Sequence, residues 1–523
     1  MMNPHKTFRL FLASWLMVGV SLWAVPSTTL VYASTKDIRD INPHLYGGEM
    51  AAQNMVFEPL LLNTREGLKP WLAERWEVSK DTKTYTFFLR EDVVFSDGTP
   101  FDAKVVKQNI DAVLSNFKRH AWLELVNQID KSEVVDAYTY RLTLKNAYYP
   151  ALEELALTRP FRFLSPKCFQ EGETKGGVSC LVGTGPWVLS EHRRNQFAHF
   201  EANPTYWGKK PLLQGVRWRV MPEHQSILLA LQKGEIDLLF GADGDMVDLD
   251  SFAALERQGR YRTLMSQPIA SRAVLINSNQ PITSDINVRQ ALQYAINKEA
   301  IAKGIFNGSE VVAHTLFSPT TPYCDVELPS YMYDPVKANT LLEKAGWVKG
   351  KDPIRTKEGK PLVLEISFNA QNAQERAISE YLQSNLKTVG VELRIVGEEK
   401  QSFLDRQQSG NFDLQYSLSW GVPYDPQSYI SSWRIPAHGD FQAQRGLPKK
   451  AWLDETITRV LIEPDSATRH ELYAQMLRYI HSQYVYIPLT YSRTKAVFSP
   501  KVQGVEFSLS QYEIPFERMS LSR

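Results

Sequence analysis

Two stretches of this chain set guanidinium groups beside aromatic rings, and they are the residues best equipped to hold a ligand. The first is Lys118-Arg119-His120-Ala121-Trp122, followed by Thr158-Arg159-Pro160-Phe161-Arg162-Phe163. Arginine near an aromatic face suits a planar carboxylate, which it grips with two parallel hydrogen bonds while its flat face stacks on the ring. The second runs Ser419-Trp420-Gly421-Val422-Pro423-Tyr424-Asp425-Pro426 and continues in Trp433-Arg434-Ile435-Pro436-Ala437-His438. One glycine and two prolines around Trp420 and Tyr424 make a stiff, irregular loop. It follows the strand-like residues 413–418, and in α/β sheets ligands sit at loops beyond strand ends. Taken singly, these residues have blander readings. A lone Trp is more often core than ligand platform, and a lone His such as His438 is more often a surface or core residue.

Catalysis leaves no comparable grouping. The patterns GxSxG, HExxH, GxxxxGK[ST] and GxGxxG do not occur, and none of the 58 acids is marked by spacing as an acid–base pair, so no enzyme is expected. The 10 histidines are scattered, with no pair at i, i+2 or i, i+4. A metal cage built wholly of protein is therefore not expected, and any metal must bring most of its ligands with it. With 59 Lys plus Arg against 58 Asp plus Glu, the chain has no basic excess with which to track nucleic-acid phosphates. Three cysteines without a CxxC make neither a zinc site nor a disulfide scaffold. Cys168 and Cys180 flank a Gly-, Glu- and Lys-rich loop; they either close it as a disulfide or stand as two buried thiols, and Cys324 reads as a small core residue.

These residues need a scaffold, and 523 residues call for two or more compact units. At 43% apolar and 22% charged, the composition fills ordinary cores. Lys6 and Arg9 precede the uncharged, apolar residues 10–24, which read as a secretory signal, shorter than the roughly 20 residues of a membrane span. Val31-Tyr32-Ala33 fits a cleavage site better than Leu22-Trp23-Ala24, yet residues 28–34 read as a strand that cutting after Ala33 would discard. Cleavage after Ala24 is expected. Strand-like and helix-like segments alternate throughout, which predicts α/β layers. Leu362, Leu364, Ile366 and Phe368 alternate as a strand, Ile378, Leu382 and Leu386 mark a helix ending before Gly390, and Val391, Leu393 and Ile395 alternate again. That is a parallel βαβ unit. Asp334 and Asp285 are expected to cap helices, and residues 85–89 to form a strand.

Most of the chain also resembles a known family. WLAERWEVSKDTKTYTFFLREDVVFSDGTPFDAK (71–104), GTGPW (183–187), NPTYWG (203–208), ALQKGEIDLL (230–239), NVRQALQYAINK (287–298) and YDPVKANTLLEKAGW (333–347) resemble the extracytoplasmic solute-binding proteins of ABC importers, peptide/nickel class. The likeness runs in order over about residues 28–520. RHAWLEL (119–125), YYPALEELALTRPFRF (148–163), WGVPYDP (420–426), SSWRIPAHGDFQAQ (431–444) and EIPFE (513–517) are similar to the nickel-binding members. Peptide-binding members place an acid soon after the loop Trp, to hold the peptide's amino terminus. Here Gly421, Val422, Pro423 and Tyr424 follow Trp420, and a buried ammonium without a counter-charge is costly.

The resemblance implies an α/β, bilobed periplasmic-binding-protein fold (class II type, the enlarged peptide/nickel cluster), with two lobes, a hinge and a cleft. Residues 1–24 would be the signal peptide, 25–270 plus 494–523 lobe I, and 271–493 lobe II. It implies a periplasmic, monomeric carrier with no cofactor of its own, which takes Ni(2+) wrapped in a small carboxylate-bearing chelator such as histidine and delivers it to inner-membrane ABC permease subunits. By the same resemblance His438 corresponds to the direct metal ligand, and Arg159, with Arg119 behind it, to the guanidinium that meets the chelator. Trp122, Trp420, Tyr424 and Met50 correspond to cleft residues. Two positions depart from the pattern: Tyr512 stands where a small hydroxyl residue can occur, and Leu404 where a Tyr can. Arg162 is open to a structural role instead. The alternatives are a di- or oligopeptide carrier and a carrier of another metallophore, a cobalt or zinc complex, or haem.

Overall fold

Leu364, Ile366 and Phe368 share the buried face of the strand Val363–Asn369, as their alternation requires. The helix Ala373–Thr388 buries Ile378, Leu382 and Leu386, with the Asn372 side chain accepting from the Gln374 and Glu375 N–H groups at its start. Gly390, at φ 83°, turns the chain into the strand Glu392–Glu398, which pairs parallel with the first. The βαβ unit therefore forms as its periodicity predicts. Asp334 and Asp285 cap their helices, accepting from the N–H groups of Lys337 and Asn287. This computed structural model describes residues 28–241, 249–436 and 438–522, so the expected signal segment 1–24 lies outside them.

That unit belongs to a six-stranded sheet ordered Val311–Val312, Tyr486–Ser492, Ala270–Ile276, Leu414–Leu418, Val363–Asn369, Glu392–Glu398. A second sheet has seven strands, ordered Arg262–Met265, Lys495–Phe498, Leu238–Gly241, Thr29–Ser34, Gly215–Val220, Phe197–Ala202, Trp187–Arg193. Its central strand, Thr29–Ser34, runs parallel to both neighbours. The chain passes from one sheet to the other between Met265 and Ala270 and returns between Ser492 and Lys495. The two crossings lie side by side: the Ser266 N–H donates to the Thr494 carbonyl and the Ile269 N–H to the Ser492 carbonyl, each at 2.9 Å.

A third sheet was not foreseen from the sequence. Ala73–Val78, Thr84–Leu89, Thr139–Leu144 and Ile129–Val134 pair antiparallel in that order, and the helix Ala103–Ser115 packs on them through Val105, Ile110 and Val113. Alternation along residues 85–89 marks a strand but says nothing of which distant segment it joins. Several of the quoted motifs meet at one buried carboxylate. Glu58 accepts from Trp71 Nε1 at 2.8 Å, Trp207 Nε1 at 2.9 Å, Thr184 Oγ1 at 2.8 Å and the Tyr206 hydroxyl at 3.0 Å. Gly183 and Gly185 let that assembly press on the end of the helix Met50–Val56, since a Cβ there would fall 2.0 Å and 2.6 Å from its carbonyl oxygens. Cys168 and Cys180 are joined as a disulfide, with Cα atoms 4.8 Å apart, and Cys324 is buried.

Candidate functional site

Met50 opens the helix that the Glu58 assembly clamps, and Tyr46 lies in the turn just before it. Tyr46 is the hub of the site. Trp122 Nε1 donates to its hydroxyl at 2.8 Å, and that hydroxyl lies 2.7 Å from Nδ1 of buried His120. Burial lowers the His120 pKa to about 4, so its ring is neutral and shares one hydrogen bond with the Tyr46 hydroxyl through Nδ1. The guanidinium carbons of Arg119 and Arg159 lie 5.3 Å and 5.2 Å from the centre of the Tyr46 ring, near its face. Arg159 also donates to the Gly48 carbonyl at 3.1 Å. Neither arginine has an ion-pair partner among the described residues. Burial lowers the Arg159 pKa, so an incoming carboxylate would relieve a half-desolvated cation.

The opposite wall comes from the six-stranded sheet. Its strand Leu414–Leu418 ends in the loop carrying Trp420, which turns at Gly421 with φ 75°; a Cβ there would meet Ile269 at 2.9 Å. Asp425 closes the loop on itself, accepting from the Ser419 hydroxyl at 2.5 Å and the Gly421 N–H at 3.0 Å. The nearest acid after Trp420 is thus consumed inside the loop, and burial raises it to about 7. Trp420 meets Trp122 edge to face at 5.1 Å between ring centres, and His438 at 5.1 Å. The Tyr424 hydroxyl reaches Met50 Sδ at 3.7 Å. Away from the site the same two sides touch through Ser428 and Glu154 at 3.0 Å and through Arg434 and Glu124 at 2.5 Å.

His438 precedes the short helix Gly439–Gln444 without bonding to it, and its ring nitrogens have no hydrogen-bond partner among the described residues. Burial lowers its pKa to about 4, so the ring keeps a lone pair at neutral pH. A neutral imidazole suits a borderline metal, and no group of three His, Cys, Asp or Glu side chains stands ready to complete a cage among the described residues.

Met50, Arg119, Trp122, Arg159, Trp420, Tyr424 and His438 therefore come together as one connected assembly. They do not all line one space. A cavity of about 330 Å³ takes in Tyr46, Met50, Arg159 and Tyr512, whereas Trp122, Trp420 and His438 stand beside it. Arg162 is apart, donating to the carbonyls of Leu157, Phe57 and Ala156 and lying 4.0 Å from Glu513, a structural use. Leu404 is half-buried on the helix Lys400–Ser409, outside that lining. The sequence reading missed Tyr46 altogether. Its neighbours His120 and Trp122 gave no sign of a partner 74 and 76 positions away.

Comparison with known proteins agrees with this architecture. Residues 67–441 match the bacterial extracellular solute-binding proteins, family 5 (middle). The chain is 42% identical over 487 residues to the nickel-binding periplasmic protein of Escherichia coli K12, covering 92% of this chain and 93% of that one. It is 28% identical to the dipeptide-binding protein of the same organism, over 93% of this chain and 94% of that one. Among solved structures, NikA from Brucella suis in complex with Fe(III)-EDTA superposes with a TM-score of 0.92 at 42% identity, covering 94% of this chain and 100% of that one. NikZ from Campylobacter jejuni in complex with Ni(L-His) gives 0.82 at 25% identity, over 95% and 100%. With two facing sheets, a double crossing between them and a family match over most of its length, this chain belongs to the family 5 bacterial extracellular solute-binding proteins.

Proposed function

We propose that this protein captures nickel as a complex with a small carboxylate-bearing chelator in the periplasm and presents it to an ABC import permease. The observation that carries the reading is the pairing of a neutral His438, whose ring nitrogens have no hydrogen-bond partner among the described residues, with two arginines that lack carboxylate partners among them. One imidazole cannot satisfy nickel, but a multidentate chelator plus one imidazole can. Arg159 and Arg119 would hold the chelator's carboxylates, Trp122, Trp420, Tyr424 and Met50 would enclose it, and His438 would complete the metal's coordination. Relatives whose names and titles carry nickel, Ni(L-His) and Fe(III)-EDTA support this cargo class. A peptide cargo is disfavoured, because Asp425 is tied inside its own loop.

Lobe I would comprise residues 25–270 and 494–523 and lobe II 271–493, with the paired crossings as the hinge. A ligand touching both lobes favours the closed form by its difference in affinity for the two states. Export would follow removal of residues 1–24, and the protein would act as a monomer. The test is tryptophan fluorescence of the mature protein titrated with Ni(II), with and without histidine. A saturable change that requires the chelator, and that is lost in Arg159→Ala, is expected. A response to dipeptides alone would replace nickel with peptide.

A further inference from the structure

The segments that carry the candidate ligand residues are tied together behind the site by one side chain. Glu154 lies in the short helix Ala151–Leu155, just before Arg159 in sequence, and is fully buried. Its Oε2 accepts from the N–H of Leu125, soon after Trp122, at 3.1 Å. Its Oε1 accepts at 3.0 Å from the hydroxyl of Ser428, on the helix Gln427–Ser432, and the Ser428 N–H donates in turn to the Tyr424 carbonyl at 2.9 Å. The first bond joins the Arg159 segment to the Arg119–Trp122 segment within one wall; the second crosses to the opposite wall. No cation pairs with this carboxyl group among the described residues. The acid nearest to it, Glu124, is itself paired with Arg434 at 2.5 Å. Tyr148 faces it from the preceding turn, and Tyr429, the titratable side chain of the helix Gln427–Ser432, is committed to Asp440 at 2.7 Å.

We propose that Glu154 is a positioning residue for cargo capture: without touching the ligand it sets Trp122, Arg159 and Tyr424 in register across the cleft, through a bond to Ser428 that forms only on closure. The inference rests on the chelate and hinge readings above. Burial without a cation raises the Glu154 pKa to about 8 in this closed arrangement. Opening withdraws Ser428 and admits water, which returns the carboxyl group toward its ordinary value. A carboxyl group whose pKa is higher in the closed form favours closure fully at low pH and loses that favour as the pH rises toward 8, so closing takes up a proton.

The test is calorimetric titration of the mature protein and its Glu154→Gln and Glu154→Ala variants with Ni(II) plus histidine, at pH 6 to 8 and in two buffers of different ionisation enthalpy. Glu154→Ala should bind about tenfold more weakly at pH 6, because the Leu125 N–H and the Ser428 hydroxyl lose their acceptor. Glu154→Gln should restore most of that affinity, its amide oxygen accepting from Leu125 and its NH2 donating to Ser428 Oγ. Protonation of the chelator is common to all three proteins and cancels in their ratios. The ratio of wild-type to Glu154→Gln affinity should fall by about tenfold between pH 6 and pH 8, and near pH 7 the wild type should take up about one proton more per complex bound. A flat ratio with equal proton uptake, a Gln variant as weak as the Ala variant, or an Ala variant that binds like the wild type would overturn the assignment while leaving chelate capture standing. Failure of the unmodified protein to bind would end both readings. Should Glu154→Ala not fold, Ser428→Ala, which removes only the bond across the cleft, is judged by the same loss at pH 6.

Discussion

At the scale of single residues, the proposed site would work by withholding partners. His438 and Arg159 are each placed where burial raises the cost of lacking a charge or metal partner among the described residues, so a ligand that supplies one is favoured. Tyr46 does the reverse work: both of its hydroxyl contacts are filled, which fixes the ring under Arg119 and Arg159. The pH dependence of metal binding follows from His438. Its folded pKa is depressed from 6.5 to about 4, so the ring becomes protonated only as the pH falls toward 4. His438→Ala should weaken nickel-chelate binding by at least about tenfold. The ratio of wild-type to variant affinity cancels protonation of the chelator. Measured by titration, it should stay flat between about pH 7 and pH 5 and collapse toward unity only below that. A ratio that falls with an ordinary histidine midpoint would show that burial does not depress the ring, and a ratio near unity at every pH would show that His438 does not hold the metal.

At the scale of elements, the hallmark motifs of this chain turn out to be scaffold. Trp71, Thr184, Tyr206 and Trp207 come from three separate motifs, yet all donate to Glu58. That assembly fixes the end of the helix whose first residue, Met50, touches Tyr424 across the cleft. Burial raises the Glu58 pKa, and four donors pull it back toward the charged form. Glu58→Ala leaves those four donors buried without an acceptor, and should cost about 3 kcal/mol or more in denaturant unfolding. A loss below about 1 kcal/mol would mean that water or local rearrangement replaces the carboxylate.

At the scale of the whole molecule, the strand Thr29–Ser34 ties the start of the described chain to the centre of the seven-stranded sheet. Leu30, Tyr32 and Ala33 are buried there, and the Tyr32 ring packs on Trp218 and Phe516. A protein produced from residue 25 should therefore melt cooperatively by circular dichroism, whereas one produced from residue 34 should show no cooperative transition, because it lacks a central strand. A folded product from residue 34 would reopen cleavage after Ala33. The same sheet carries Lys495–Phe498, the return segment after the second crossing, so the proposed closure of the cleft would bend two adjacent segments of chain rather than one. That arrangement would restrict the motion to a hinge about a shared line.

What the sequence determined by itself was local or categorical. Periodicity and capping residues placed the βαβ unit and the helix starts at Asp285 and Asp334, because these signals are written within a few turns of chain. The arginine–aromatic clusters pointed to a carboxylate-bearing ligand, because residue chemistry does not depend on the fold, and the resemblance supplied the nickel and the meaning of the acid-free loop. Resemblance named the seven residues that the structure then brought into one assembly. Tertiary structure alone decided the rest. That Tyr46 joins Arg119, Trp122 and Arg159, that Arg162 serves backbone carbonyls, that Glu58 gathers three motifs, and that Glu154 meets both Leu125 and Ser428 are all facts of long-range packing. The energy of such a contact depends on burial and direction, and neither is set until segments far apart in sequence have met.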